Sequence, residues 1–182
     1  MIVRMKVVFI IFCLTMVGCA STTNKIPAEK GINSYFIKDV NVNLSLGHGA
    51  IDGDVTFATQ EVLKQQFQEA LNKYLIENNI NSSQATSNSA SLVITIDFLR
   101  RFNTGGKALN KPEISHKVAF YQDEENIYNQ SRKSYTTKYG YFQNLAVDLE
   151  IAAFQWDAED EPKDVDLISK MIVDDLVTAL GK

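Results

Sequence analysis

Along residues 36–46 apolar and polar positions alternate. Phe36, Val40, Val42, Leu44 and Leu46 share one parity, and Asp39, Asn41, Asn43 and Ser45 take the other. A period of two predicts a half-buried strand, closed by the loop residues Gly47-His48-Gly49 and Asp52-Gly53-Asp54. The period then changes. Val62, Leu63, Phe67, Ala70, Leu71, Tyr74 and Leu75 recur at helical spacing behind Thr59, a good N-cap, and predict a helix over 60–78. After a polar run, Leu92, Ile94, Ile96, Phe98 and Phe102 restore the period of two. A loop with Gly105-Gly106 and Pro112 leads to a hairpin with arms at 116–122 and 127–136 and its turn at 123–126. The return arm is polar, so an edge strand is expected there.

Residues 141–156 fit two patterns. Leu145, Val147, Leu149 and Ile151 alternate, while Phe142, Leu145, Leu149, Ala152 and Trp156 fit a helix, which the alanines favour. An acidic loop is expected over 157–164, around Pro162. The last helix, over 165–180, turns Leu167, Ile168, Met171, Ile172, Leu176 and Leu180 inward and stops at Gly181. The order is β-α-β-β-β-(α)-α, the bracketed element being open between helix and strand. The fold class expected is α+β: an antiparallel or mixed four-stranded sheet with two to three helices packed on one face, which buries every apolar stripe.

Ahead of this domain, residues 1–18 are laid out as a secretory signal. Arg4 and Lys6 precede an apolar run over 7–17, and small Gly18 stands before the cut. Eleven residues are too few for an uncleaved membrane span, which needs roughly 20. Translation from Met5 would give the more usual signal start. Met16-Val17-Gly18-Cys19 resembles the bacterial lipobox, matching it at Gly18 and Cys19. That resemblance implies a covalent lipid on Cys19, cleavage before it and acylation of the new amine. Several buried acyl chains, at ~0.8 kcal/mol per CH₂, would make the attachment permanent. Ala20 rather than Asp after the cysteine implies the outer membrane, periplasmic face; in a Gram-positive cell the same signal implies the outer face of the plasma membrane. Residues 19–34 then read as lipidated cysteine and polar tether, reaching at most ~50 Å, and 35–182 as one domain.

Charge and cysteine count narrow the chemistry. Of 18 basic and 22 acidic residues, loss of Arg4 and Lys6 leaves 16 against 22, so the net charge moves from −4 to −6. No nucleic acid is expected as a partner on this balance. Cys13 lies in the discarded leader and Cys19 carries lipid, so no thiol remains for a disulfide, a nucleophile or a thiolate metal site. No cofactor beyond the covalent lipid is expected. His48, Asp52 and Asp54 offer a divalent-cation alternative, but fit neither an EF-hand nor a zinc spacing, and turn chemistry accounts for them. His116 stands beside Ser115, yet neighbours on a strand point to opposite faces. No nucleophile elbow is present. Catalysis is not expected.

Aromatics gather in the second half. Tyr128, Tyr135 and Tyr139, if exposed beside Arg132 and Lys133, would form a partner-binding patch. A projecting hairpin with an open edge also suits strand addition.

The residues 16–19, the strand over 36–46, the helix over 62–75, the strand over 92–102 and the helix over 167–180 together resemble a known layout. It is that of small periplasm-facing lipoproteins of the YajG and ABC-transport-auxiliary type, and more distantly of the lipopolysaccharide-assembly lipoprotein. The resemblance implies an accessory or assembly component rather than an enzyme. The function expected is therefore an anchored, non-enzymatic scaffold with a protein partner in the cell envelope. The alternatives are a lipid or small-ligand handling protein of an envelope transport system, with a cavity between helices and sheet, and a metal-dependent enzyme.

Overall fold

A computed structural model describes residues 30–51, 53–103 and 106–181. The segment expected as a leader, Cys19, most of the expected tether and Asp52 lie outside the described residues. Within them the order is β1 (Ser34–Leu46), α1 (Gln60–Glu77), β2 (Ser89–Phe102), β3 (Leu109–Gln122), β4 (Glu125–Tyr135), α2 (Tyr141–Ala152) and α3 (Glu161–Ala179). The strands form one sheet in the order β1-β2-β3-β4; β1 runs parallel to β2 and the rest are antiparallel. This is the mixed four-stranded α+β fold that the pattern predicts.

The sheet buries one face. Val40 and Val42 from β1, Leu92, Ile94, Ile96 and Phe98 from β2, and Ile114, Val118 and Phe120 from β3 meet Leu63, Phe67, Leu71 and Leu75 of α1 and Ile168, Ile172 and Leu176 of α3. The opposite face carries Asn43, Asp97 and Lys117 in solvent, as one-sided antiparallel pairing allows. Thr59 caps α1 as expected, its Oγ1 accepting from the Val62 N–H at 3.3 Å. Gly181 follows α3 in the left-handed region that ends a helix. Tyr35 donates its hydroxyl proton to the Leu176 carbonyl at 3.1 Å, tying the start of β1 to the end of α3.

Several expectations are corrected. The parity assigned to Phe36 fails because β1 carries a bulge between Ile37 and Asp39, so Tyr35 and Ile37 point inward before it and Val40 and Val42 after it. One extra residue reverses the facing of all that precedes it. β3 starts at Leu109, with Pro112 inside it. Its pairing with β2 shifts between Leu99 and Arg101, and β4 does not reach it there, so the missing N–H of Pro112 breaks no ladder. The hairpin turn is only Asp123-Glu124, both at positive φ (49° and 66°), as the tightest right-twisting turn demands. Residues 141–152 are helical, as the alanines favour, but of the residues at helical spacing Phe142, Leu145 and Leu149 face out, and it is Val147 and Ile151 that are buried. The expected acidic loop ends early, because α3 opens at Glu161 with Pro162 in its first turn, a position proline favours.

Phe67 is fully buried and meets Phe98 edge to face at 6.1 Å between ring centres. Phe67→Ala is expected to cost about 3–5 kcal/mol in urea unfolding, transfer and cavity terms together; Val55→Ala, at a residue almost wholly exposed, should change little.

Candidate functional site

β2 does not end its inward alternation on an apolar residue. After Phe98 the next inward position is Arg100, 4 % exposed, whose Nε and Nη2 donate to the two carboxylate oxygens of Glu161 at 2.6 and 2.8 Å. Nη2 also donates to the Ala58 carbonyl at 2.7 Å, and the guanidinium lies over the Phe57 ring. Glu161 stands in the first turn of α3, where a carboxylate is favoured by the helix dipole. One turn on, Asp164 is buried and accepts from the Tyr139 hydroxyl at 2.7 Å and from Trp156 Nε1 at 3.3 Å. Burial pushes the Asp164 carboxyl above its ordinary range, and the bond from Tyr139 opposes that rise. Burial first, and the Asp164 charge second, push the Tyr139 phenol up.

These groups mount α2. Trp156, Leu109 and Phe57 form a second apolar cluster that receives Val147 and Ile151. Lys111 on β3 donates to Asn144 Oδ1 at 2.7 Å and pairs with Asp148 at 2.6 Å. Asn103 donates to the Ile151 carbonyl at 2.7 Å, satisfying a free group at the helix end. The helix is thus held along one side. Away from the body, Tyr141 and Phe142 are 84 % and 83 % exposed, and Leu145, Leu149 and Phe154 are each more than half exposed. Between α2 and α3 runs a groove of about 610 Å³ bordered by Tyr139, Val147, Trp156, Leu167, Lys163 and Lys170.

The residues expected to form an aromatic patch do not stay together at the surface. Tyr135 is buried; its hydroxyl lies 2.7 Å from His116 Nδ1, within the sheet-helix layer. Tyr128 is half-buried against Phe120, and Tyr139 is turned to Asp164. Arg132 lies over the Tyr135 ring and reaches Asp175 of α3 at 3.7 Å, while Lys133 is exposed on the edge strand. Tyr128 faces in beside Phe120, and Tyr135, seven residues on and so of the opposite parity, joins the same face beside Ile114 only because the register shifts between the His116–Arg132 and Ile114–Tyr135 pairs, at the left-handed Ser134.

In the loop after β1, His48 is exposed and Asp54 accepts from the Thr56 N–H at 2.8 Å, ordinary turn chemistry. Among the described residues no three His, Cys, Asp or Glu side chains gather as a metal site, and Asp52 lies outside them. Gly106 is required here, because a Cβ on it would fall 2.3 Å from the Gly49 carbonyl oxygen. Among the described residues no helix is long and apolar enough to cross a membrane.

Sequence reasoning missed Arg100, Glu161, Asp164 and the outward face of α2. For Arg100 a signal existed: it continues the inward parity of β2, where a lone cation implies a buried carboxylate partner.

No family model matches the sequence, and no curated protein matches it. Three solved structures resemble it in arrangement, each at 11 % identity. A minor lipoprotein of Acinetobacter baumannii covers 77 % of this chain and 90 % of its own, with a TM-score of 0.35. The rare lipoprotein B of Shewanella oneidensis covers 76 % and 94 %, at 0.33. Protein XCC0632 of Xanthomonas campestris, a DUF330 protein, covers 86 % and 91 %, at 0.36. Likeness of this degree says nothing of what the chain does.

Two variants probe the buried polar groups. Arg100→Met strands the Glu161 carboxylate and is expected to cost about 3–5 kcal/mol in chemical denaturation, whereas Arg100→Met with Glu161→Leu should recover most of that loss. Burial, then the nearby Arg132 charge, lower the His116 pKa from 6.5 to about 4. Between those values the unfolded chain binds a proton that the folded chain refuses. Stability should therefore fall on acidification through pH 6.5 to 4, by up to about 3 kcal/mol from this group. Urea midpoints across that range should fall more steeply in wild type than in His116→Phe.

Proposed function

We propose that this chain is a lipid-anchored accessory of the bacterial cell envelope, one that holds a protein partner and carries out no chemistry itself. The observation that carries the reading is Met16-Val17-Gly18-Cys19 behind a short charged and apolar leader. Acylated at Cys19, the domain stands on its tether at the outer membrane, facing the periplasm, or on the outer face of the plasma membrane in a Gram-positive cell. The folded body supports holding over cutting. Its strongly shifted ionisable groups are engaged inside the fold: Tyr35 with the Leu176 carbonyl, His116 with Tyr135, and Tyr139 with Asp164. The buried Arg100–Glu161 pair is likewise closed on itself.

The partner contact belongs at the free side of β4. Among the described residues this strand has one neighbour, β3, and it exposes Asn129, Ser131 and Lys133. Its unpaired main-chain groups offer a ladder for an incoming extended segment, and the left-handed Ser134 ends that ladder by bending the strand. A second reading, the handling of a lipid or small amphiphile, is favoured by the groove between α2 and α3, where Val147, Trp156 and Leu167 form apolar wall and Lys163, Lys170, Glu150 and Asp166 are charged border.

A photo-crosslinking residue placed at Asn129 or Ser131 in living cells is expected to trap one discrete envelope protein. The same residue at Asn43, exposed on the open sheet face, should trap none. Equal labelling from all three positions, or none at 129 and 131, would contradict the edge as the contact.

A further inference from the structure

α2 is apolar on two sides. At 100° per residue, Val147 and Ile151 occupy the side that meets the body, and Tyr141, Phe142, Leu145 and Leu149 fall within an arc of roughly 100° on the opposite side. Polar residues form rails between the two: Gln143 and Glu150 on one flank, Asn144 and Asp148 on the other. A helix lying on a globular body needs only its inward side apolar. Here the outward side is apolar too, and Phe154, just past the helix end, extends it from a left-handed backbone position that phenylalanine rarely takes. The face forms a ridge with no charged residue on it, beside a hollow of about 410 Å³ bordered by Tyr141, Leu145, Lys138 and Asp148. An exposed patch of this kind marks a surface that is covered in use.

We propose that the outward ridge of α2 rests in the interfacial layer of the lipid bilayer to which Cys19 is attached, so that the domain docks against the membrane at this helix. The inference rests on the anchoring proposed above. Three features select the bilayer over another protein. First, reach: the body begins at Asn33, whose N–H is bonded to Asn88, and the chain from Cys19 to Asn33 extends at most ~50 Å. β1, which separates that point from the end of the sheet carrying α2, is 13 residues long, or ~43 Å. The anchor thus permits α2 to touch the membrane that holds it. Second, chemistry: aromatic and aliphatic side chains on an uncharged ridge suit an interface in which one side is apolar. Third, attachment to the same membrane makes docking an intramolecular step, which needs less intrinsic affinity than capture of a free domain. The rails carry Asp148 and Glu150, with Lys111 bonded to Asp148 and Lys138 at the margin beside Tyr141 and Leu145, so docking draws on apolar burial first and on the few charges at its border second.

The test uses the full lipidated chain, reconstituted in phosphatidylcholine vesicles with and without brominated acyl chains. Leu145→Trp and Leu149→Trp are read against the unsubstituted protein, whose Trp156 is buried, and against Ile76→Trp, an exposed position on α1. Brominated lipid is expected to quench the added fluorescence at 145 and 149 at least twofold and to leave that at 76 unchanged. A protein that floats with the vesicles but shows no quenching at 145 and 149 overturns the docking while leaving the anchor intact. A blue shift there without quenching also overturns it, showing the ridge covered by protein, whether a partner or a second copy. A chain that fails to float overturns the anchoring and the docking together.

Discussion

The bidentate pair between Arg100 and Glu161 fixes where the last third of the chain can go. Both groups are almost wholly buried, 5 % and 3 % exposed at their side chains. Such a pair contributes little net stability over an apolar substitute, but either half alone in that environment is costly. Its consequence is positional. The end of β2 must lie under the first turn of α3, and the same guanidinium holds the segment before α1 through the Ala58 carbonyl. With the start of α3 set, Asp164 presents its carboxylate to Tyr139 and Trp156. Those two side chains come from the segments on either side of α2. The seat of that helix is therefore built outward from one ion pair.

What the seat supports is a helix with more apolar surface than its host covers. Val147 and Ile151 suffice to dock it, with Lys111 and Asn103 bonding it at its sides. The outer residues add nothing to that docking, and in water they carry a free-energy cost of exposure. A surface helix under selection for stability alone would replace them with lysine and glutamate. Their presence makes α2 the part of the described surface that is least suited to water, in a molecule whose polar sheet face is well suited to it.

Much of the fold was legible in the sequence because most of its stripes run uninterrupted. The period of α1 from Leu63 to Leu75, the alternation of β2 from Leu92 to Phe98 and the polar return arm of the hairpin each gave the right element. The failures share a physical cause, namely local devices that break a period. The bulge near Lys38 reversed the parity of Phe36, and Pro112 hid the first half of β3 because prolines are read as strand breakers. In α2 the stripe itself misled: Phe142, Leu145 and Leu149 keep helical spacing, and spacing alone does not tell a face turned to the core from one turned to something outside. The site was less legible still. Glu161 and Asp164 sit in an acidic run that reads as solvated loop, and only the three-dimensional approach of Arg100 and Trp156 shows them to be interior. The tyrosines 128, 135 and 139 were placed correctly on the hairpin and beyond it, but their rings serve the core.

Anchoring is the premise on which the holding role and the membrane-facing ridge both stand. It is tested most directly by the intact mass and N-terminal sequence of the protein recovered from its own membrane. The account predicts a chain that begins at Cys19 and carries a diacylglyceryl thioether and an amide-linked acyl group. A chain that retains residues 1–18, or one that begins at Cys19 with an unmodified thiol, would contradict it.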